Sequence, residues 1–230
     1  MQAVILAAGE GRRLRPLTND IPKPMVRVGG VPILEHTIKA LPSVVDEVIL
    51  VVGYKGGVVR SYFGNTFTGR KIRYVEQDAP KGTGHALTLV KDVLGDGDFF
   101  LLYADDLYHP QDIANCLVGM PALLVRETQH PERFGVCTID MESNLISLFE
   151  KQENPPSNLA LIGVHVLNKE ILDIPDVYMP NGESNLSGRI GEWAKKTAVR
   201  VVRAEFWHPI GYPEDVESAE KIIHTLKKVS

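Results

Sequence analysis

The sequence predicts an α/β fold built on a mainly parallel, mixed central sheet, and three observations carry that expectation. Short continuous apolar runs alternate with helical stretches over the first two-thirds of the chain. The first of these runs ends at a glycine, and the runs are too uniformly apolar for strands with one wet face. Residues 3–8, Ala-Val-Ile-Leu-Ala-Ala, stop at Gly9 and read as a strand buried on both sides. Residues 33–41 set Ile33, Leu34, Ile38 and Leu41 along one face of a short helix. Residues 48–52, 72–75 and 99–103 read as three more buried strands, and 85–93 as a helix with Ala86, Leu89, Val90 and Val93 on one side. Strands alternating with crossovers imply right-handed parallel connections. After residue 120 the pattern changes. Residues 122–125, 135–139, 145–149 and 159–167 leave little room for helices between them, which predicts an antiparallel or mixed portion. Residues 186–196 read as a helix, 199–204 as a strand, and 213–228 as a helix opened by Pro213 with Glu214 and Asp215 at its positive end.

Composition narrows the partners. A chain of 230 residues, 44% hydrophobic and 23% charged, reads as one soluble domain spanning 1–230. A net charge of −4 gives no bulk attraction to nucleic acid or to an anionic membrane. No apolar run approaches the roughly 20 residues of a bilayer span, and the opening residues lack the basic region of a signal peptide. The expected location is cytoplasmic. Cys116 and Cys137 sit among apolar neighbours and read as buried thiols. Residues 154–158 read as a proline-containing turn.

The densest chemistry follows the first strand, in Leu6-Ala-Ala-Gly9-Glu-Gly11-Arg12-Arg13-Leu-Arg15-Pro-Leu-Thr18. Gly9 and Gly11 let the backbone approach a ligand with free N–H groups aimed at phosphate. Arg12, Arg13 and Arg15 add cations, and Lys23 is held between Pro22 and Pro24. Glycines with restrained cations make a polyphosphate cradle; two glycines alone would equally make a tight turn with a solvated basic face. The run is neither a G-x-x-x-x-G-K-[ST] loop nor a G-x-G-x-x-G fingerprint, since Leu14 stands where the third glycine belongs.

Residues 6–24 closely resemble the signature of the sugar-1-phosphate nucleotidyltransferases, L-A-A-G-x-G-T-R-L-x-P-L-T followed by P-K-P, with Arg12 in place of threonine. The resemblance implies a Rossmann-like three-layer fold and runs through further stations in the family's order. Glu76-Gln77-Asp-Ala-Pro-Lys-Gly82-Thr83-Gly-His-Ala resembles the segment that reads the nucleobase, Q-x-x-P-x-G-T-x-x-A. The Gln77 amide offers a donor and an acceptor to the imide edge of uracil or thymine. Tyr103-Ala104-Asp105-Asp106 resembles the family's Gly-Asp, which implies Asp105 as a Mg2+ ligand, with Asp106 read as a helix-capping or supporting group. Arg133-Phe-Gly135-Val resembles the family's Y/F-G-V. Glu150-Lys151 and Ser157-Asn-Leu-Ala-Leu-Ile-Gly163-Val-His-Val-Leu resemble E-K-P…S-N-x-A-x-x-G-x-Y-V-F. Trp207-His-Pro209-Ile-Gly-Tyr-Pro-Glu-Asp215 resembles W-x-D-I-G-T-P-E-D, but Pro209 replaces the aspartate that supplies a second Mg2+ ligand. Three outcomes follow: one carboxylate suffices with water and substrate oxygens, Asp106 or His208 stands in, or the activity is weakened.

The resemblance therefore implies Arg13, Lys23 and Asp105 as catalytic residues. It implies Leu6, Ala8, Gly9, Gly11, Arg13, Gln77, Gly82 and Thr83 at the nucleotide, Gly135, Glu150, Lys151 and Gly163 at the sugar phosphate, and Asp105 as the metal ligand. The implied reaction joins a nucleoside triphosphate, UTP or dTTP ahead of the rest, to a sugar-1-phosphate and releases pyrophosphate. A guanylyltransferase acting on mannose-1-phosphate, a cytidylyltransferase acting on a non-sugar phosphate, and a non-catalytic nucleotide-sugar-binding regulator are the alternatives. No hexapeptide-repeat domain is expected after residue 230, and family habit points to a homo-oligomer.

Overall fold

The computed structural model describes residues 1–229, with side chains through residue 223. In chain order the elements are β1 (Gln2–Ala7), β2 (Arg27–Val28), β3 (Val31–Pro32), α1 (Ile33–Ala40), β4 (Glu47–Val52), α2 (Gly56–Phe63), β5 (Thr66–Phe67), β6 (Arg70–Glu76), α3 (Thr83–Leu89), β7 (Phe99–Tyr103), β8 (Asp106–Tyr108), α4 (Pro110–Asn115), β9 (Ala122–Glu127), β10 (Gly135–Ile139), β11 (Leu145–Glu150), β12 (Leu159–Leu167), α5 (Leu186–Ala194), β13 (Arg200–Arg203), β14 (Trp207–Pro209) and α6 (Pro213–Val229). Ten strands form one sheet, ordered β11-β10-β12-β7-β1-β4-β6-β5, with β9 paired to β12 and β13 to β9.

β1 is apolar throughout after Gln2, so only a position with both faces covered suits it. It lies between β4 and β7, parallel to each. Its side chains divide by the period of two. Ala3, Ile5 and Ala7 face the layer of α1, α2 and α4, whereas Val4 faces the layer of α3 and α5. β4 divides likewise, with Val48, Leu50 and Val52 on the first side and Ile49 and Val51 on the other. The result is three layers, as the resemblance implied. β12 then brings in the antiparallel portion expected after residue 120, pairing antiparallel with β7, β9 and β10.

The pairing of β12 creates the space that matters. Its C-terminal half, Val164 to Leu167, pairs with β7, and near its start Ala160 pairs with Val136 of β10. β9 occupies the opposite edge along both halves, with a register shift between Leu161 and His165. β7 and β10 therefore share one edge of β12 and leave a gap between them around Gly163, at the C-terminal end of β7. Crevices at such strand ends are where open α/β sheets take ligands.

The structure shortens or adds some elements. The helix expected over 85–93 is α-helical only from Thr83 to Leu89, with turns continuing to residue 93. α2 and α4 are helices that the sequence pattern does not predict; α2 opens on Gly56-Gly57, which masks its apolar face. The two-stranded β8–β14 ribbon escaped as well, because its strands are only three residues long and 101 positions separate Trp207 from Asp106.

On the α3–α5 side, Arg189 is 3% exposed. Its guanidinium donates to Ile171 O, Leu172 O, Thr88 Oγ1 and Asp176 Oδ1 and so ties three segments together. Arg189→Met keeps much of the volume but strands two carbonyls and a carboxylate. We expect a loss of about 3 kcal/mol in urea unfolding; a loss under about 1 kcal/mol would show that these bonds are not what holds the layer.

Candidate active site

Two adjoining cavities, of about 350 and about 300 Å3, open at the C-terminal end of β7, and both are lined by Lys23, Gly82, Thr83, Tyr103, Asp105 and Glu183. Between them the two include every residue expected at the site except Gly11. The backbone carbonyl of Gly11 accepts from Thr18 Oγ1, and its Cα lies so close to Lys23 that a Cβ would stand 2.6 Å from the lysine's own Cβ. Gly11 thus supports the loop from behind.

At the seam, Lys23 Nζ lies 3.0 Å from Asp105 Oδ2. The lysine side chain is 11% exposed and starts a short 3-10 turn in the Pro-Lys-Pro segment, while Asp105 follows β7. The other carboxylate oxygen, Asp105 Oδ1, is buried and has no hydrogen-bond partner. A hard divalent cation, which binds oxygen and retains several waters, suits that orphaned acceptor. Among the described residues no three His, Cys, Asp or Glu side chains gather as a metal cluster. Any such ion here would take one protein carboxylate and complete its shell from water and substrate.

The three arginines of the glycine loop separate in space. Arg12 binds Glu10 through two hydrogen bonds and Arg15 lies 3.6 Å from the same carboxylate, so their charge is answered locally. Arg13 alone lines the larger cavity. From Gly9 to Arg13 no backbone N–H donates to another described residue, which leaves a row of free donors at the loop.

Of the two roles expected for it, Asp106 takes the supporting one. It caps no helix: Oδ1 accepts from the Ile210 N–H and Oδ2 from Trp207 Nε1, which pins the 207–210 loop across the sheet end. Burial, and the neighbouring charge of Asp105, push its carboxyl up to about 7. Nor is His208 available as a stand-in ligand, because its Nε2 faces Asp215 O and Ser218 Oγ on α6. Pro209 lines the cavity and pairs with Asp106 in the ribbon.

The smaller cavity is an apolar slot walled by Leu6, Ala8, Pro24, Pro80, Ala86 and Ala104, with Gln77 on its lining. Gln77 Nε2 donates to Gly82 O at 3.1 Å and meets His85 Nδ1 at 3.2 Å. The amide orientation is thereby set, and Oε1 is left without a partner among the described residues. The N–H groups of Gly82 and Thr83, at the start of α3, also have no acceptor there. Gly82 has φ +94°, and a Cβ on it would stand 2.3 Å from Ser184 O, so only glycine lets the 176–185 segment close over the slot.

In the larger cavity, Glu150 and Lys151 leave the end of β11, with Gly135 beside Glu150; a Cβ at Gly135 would sit 3.1 Å from Glu150 Oε2. Lys151 Nζ lies 3.7 Å from Glu150 Oε1. Gly163 has φ +77° and receives the Tyr103 ring, which a Cβ would meet at 2.6 Å. The lining residues that the sequence reading missed include Arg133, Tyr103 and His165, and the 179–187 stretch with Glu183 and Asn185. His165 falls where the family motif carries tyrosine, and that departure was the available signal. It is 1% exposed, edge-on to Tyr103, with Nδ1 buried and unpartnered.

Burial holds His165 neutral and lowers its pKa from 6.5 to about 4. The unfolded chain therefore binds a proton from about pH 6.5 downward while the folded chain does not, and stability drains away until about pH 4. His165→Phe should remove this component and cut the stability lost between about pH 7.5 and 5 by about 2 kcal/mol in urea unfolding. An unchanged pH dependence would mean that His165 is not neutral and buried.

The nucleotidyl transferase family model matches residues 2–225. The bifunctional protein GlmU of Methanocaldococcus jannaschii is 37% identical over 226 residues, 97% of this chain and 54% of that protein. The chain thus spans about half the length of the GlmU proteins it matches. The UTP–glucose-1-phosphate uridylyltransferase AglF of Haloferax volcanii is 35% identical over 238 residues, 96% of each chain. A Bacillus anthracis protein assigned as a glucose-1-phosphate thymidylyltransferase, solved with sucrose, superposes at a TM-score of 0.86 with 23% identity, covering 96% of this chain and 95% of its own. A UDP-glucose pyrophosphorylase solved with UDP-glucose superposes at 0.84 with 23% identity, covering 97% and 98%. These two share the fold described above, and the family match spans nearly the whole sequence: the chain belongs to the nucleotidyl transferase family.

Proposed function

We propose that this chain transfers a nucleotidyl group from UTP or dTTP to a sugar-1-phosphate, giving an NDP-sugar and pyrophosphate. The observation that carries the reading is the meeting of two unlike cavities at the Lys23–Asp105 pair. The apolar slot with Gln77 suits a base, the polar cavity with Glu150 and Lys151 suits a sugar phosphate, and their junction is where the reacting phosphates would lie. The relative AglF, a UTP–glucose-1-phosphate uridylyltransferase matched over 96% of its length, supports the same class.

A sugar-phosphate oxygen attacks the α-phosphorus and pyrophosphate leaves. The nucleophile is already ionised, so no general base is needed, and the work is positioning and charge stabilisation. Lys23 holds the α-phosphate and the incoming phosphate together, Arg13 and the free N–H groups after Gly9 receive the departing phosphates, and Lys151 meets the sugar phosphate. Glu150 accepts from sugar hydroxyls beside Gly135 and Gly163. Asp105 would hold Mg2+, which would supply further neutralisation of phosphate charge. Leu6, Ala8, Gly82 and Thr83 enclose the nucleotide, and all these parts lie between residues 6 and 215, so we take this chain to act as a catalytic unit by itself.

Nucleoside triphosphates screened against sugar-1-phosphates, beginning with glucose-1-phosphate, and read by pyrophosphate release should show turnover. Asp105→Asn should cut it by roughly 10²-fold or more with the fold retained by circular dichroism. Binding without turnover in any pair would move the reading to a nucleotide-sugar-binding regulator, and full activity of Asp105→Asn would remove that carboxylate from the reaction.

Base choice follows from Gln77. Its free Oε1 accepts the imide N3–H of uracil or thymine, and the N–H groups of Gly82 and Thr83 donate to O4. Cytosine lacks the N3–H and places a donor at position 4, which leaves these groups unpaired. The expected preference for UTP or dTTP over CTP is about tenfold to hundredfold per lost bond. Gln77→Glu accepts from the cytosine amine and should narrow the ratio about tenfold while changing kcat less. A wild-type preference for GTP would move the assignment to guanylyl transfer.

A further inference from the structure

Two guanidinium groups converge on one phenol ring at the rim of the larger cavity. Arg13 Cζ lies 5.4 Å from the centroid of Tyr212, and Arg133 Cζ lies 5.6 Å from it. The arginines come from distant segments, the 3-10 turn after β1 and the short turn before β10, and both line the cavity. Neither forms an ion pair with a described residue, in contrast to Arg12 and Arg15 on Glu10. Unanswered like charges gathered at one place repel each other, so the arrangement needs something to hold it, and the electron-rich ring face does so.

The ring itself is held by its backbone. Asp215 Oδ2 accepts the N–H groups of both Gly211 and Tyr212 at 2.8 Å, and Ile210 N–H is held by Asp106. Asp215 is thereby committed to the loop. Gly211 leaves clearance beside Arg13, whose Nη2 would lie 3.9 Å from a Cβ there. In the family pattern the residue after Ile-Gly is threonine, which has no π face, so this bracket comes from the tyrosine of this chain.

We propose that Tyr212 is a positioning residue that gathers Arg13 and Arg133 into a two-guanidinium clamp, and that Arg133 is a further phosphate-binding residue of the site, its ligand the pyrophosphate portion of the nucleoside triphosphate. The proposal rests on the nucleotidyl-transfer reading only for the identity of that ligand. Paired planar cations suit a dianionic group whose oxygens point several ways, and they take no part in base or sugar recognition.

The test is calorimetric titration of the full chain with inorganic pyrophosphate. Arg133→Gln should weaken binding about tenfold or more, as loss of a charged hydrogen-bond donor does. Tyr212→Thr should weaken it about threefold to fivefold, and Tyr212→Phe, which keeps the π face, should stay within about twofold of the native chain. The Arg133→Gln/Tyr212→Thr pair should lose less than the product of the single losses, because the ring acts partly through Arg133. Arg12→Ala, which removes one positive charge outside the cavity, is the control. Loss at Arg12→Ala equal to that at Arg133→Gln would overturn the clamp in favour of a diffuse field. So would equal losses for the Thr and Phe variants, or native affinity in Arg133→Gln. Turnover assays on the native chain separate the two readings. Pyrophosphate binding that depends on Arg133 and Tyr212 without turnover supports the clamp and sinks nucleotidyl transfer; turnover with a silent Arg133 does the reverse.

Discussion

The Lys23–Asp105 ion pair joins parts of the chain that lie far apart in sequence. Lys23 belongs to the segment after the glycine loop and Asp105 to the end of β7, and their contact spans 82 residues. A lysine that is nine-tenths buried loses much of its hydration, and a carboxylate at 3.0 Å is what makes this tolerable. Both cavities meet at that pair, so the cost of burying the ammonium is spent where phosphate charge would accumulate. The unpartnered Asp105 Oδ1 beside it leaves one acceptor open for a cation.

The sheet makes room for this pair by dividing. β12 is long enough to serve β7 with one half and β10 with the other, and the gap between them falls at Gly163. A left-handed glycine there lets the Tyr103 ring lie against the backbone, with His165 edge-on behind it. The polar cavity is thus a consequence of pairing geometry, with β9 along the far edge of β12 on either side of the irregularity between Leu161 and His165.

Adjacent carboxylates do different work for a physical reason. Asp105 is paired with a cation and keeps one oxygen free, whereas Asp106, half-buried beside it, is committed through both oxygens to Trp207 and Ile210. That commitment carries the 207–212 loop over the sheet end and sets Tyr212 at the rim. Pro209 pairs with Asp106 in the same ribbon, and His208 turns to α6.

The buried strands, the glycine loop and the change to antiparallel pairing were legible in the sequence because each is written in neighbouring residues: a continuous apolar run has no stable place other than a covered strand, and Gly9 at its end must be a turn. The clustering of Arg13, Lys23, Gln77, Asp105, Glu150 and Lys151 was foreseen only through family resemblance, as no local pattern says that positions 13 and 150 share a cavity. α2 was hidden by its opening glycines, and β8–β14 by strands too short to show a period. The separation of Arg13 from Arg12 and Arg15, the turning of Asp106 to a loop a hundred residues away, and the meeting of two arginines on Tyr212 were decided by tertiary structure alone. The last two depend on the fold bringing the 207–212 loop to the end of the sheet, and a linear string of residues carries no record of that distance.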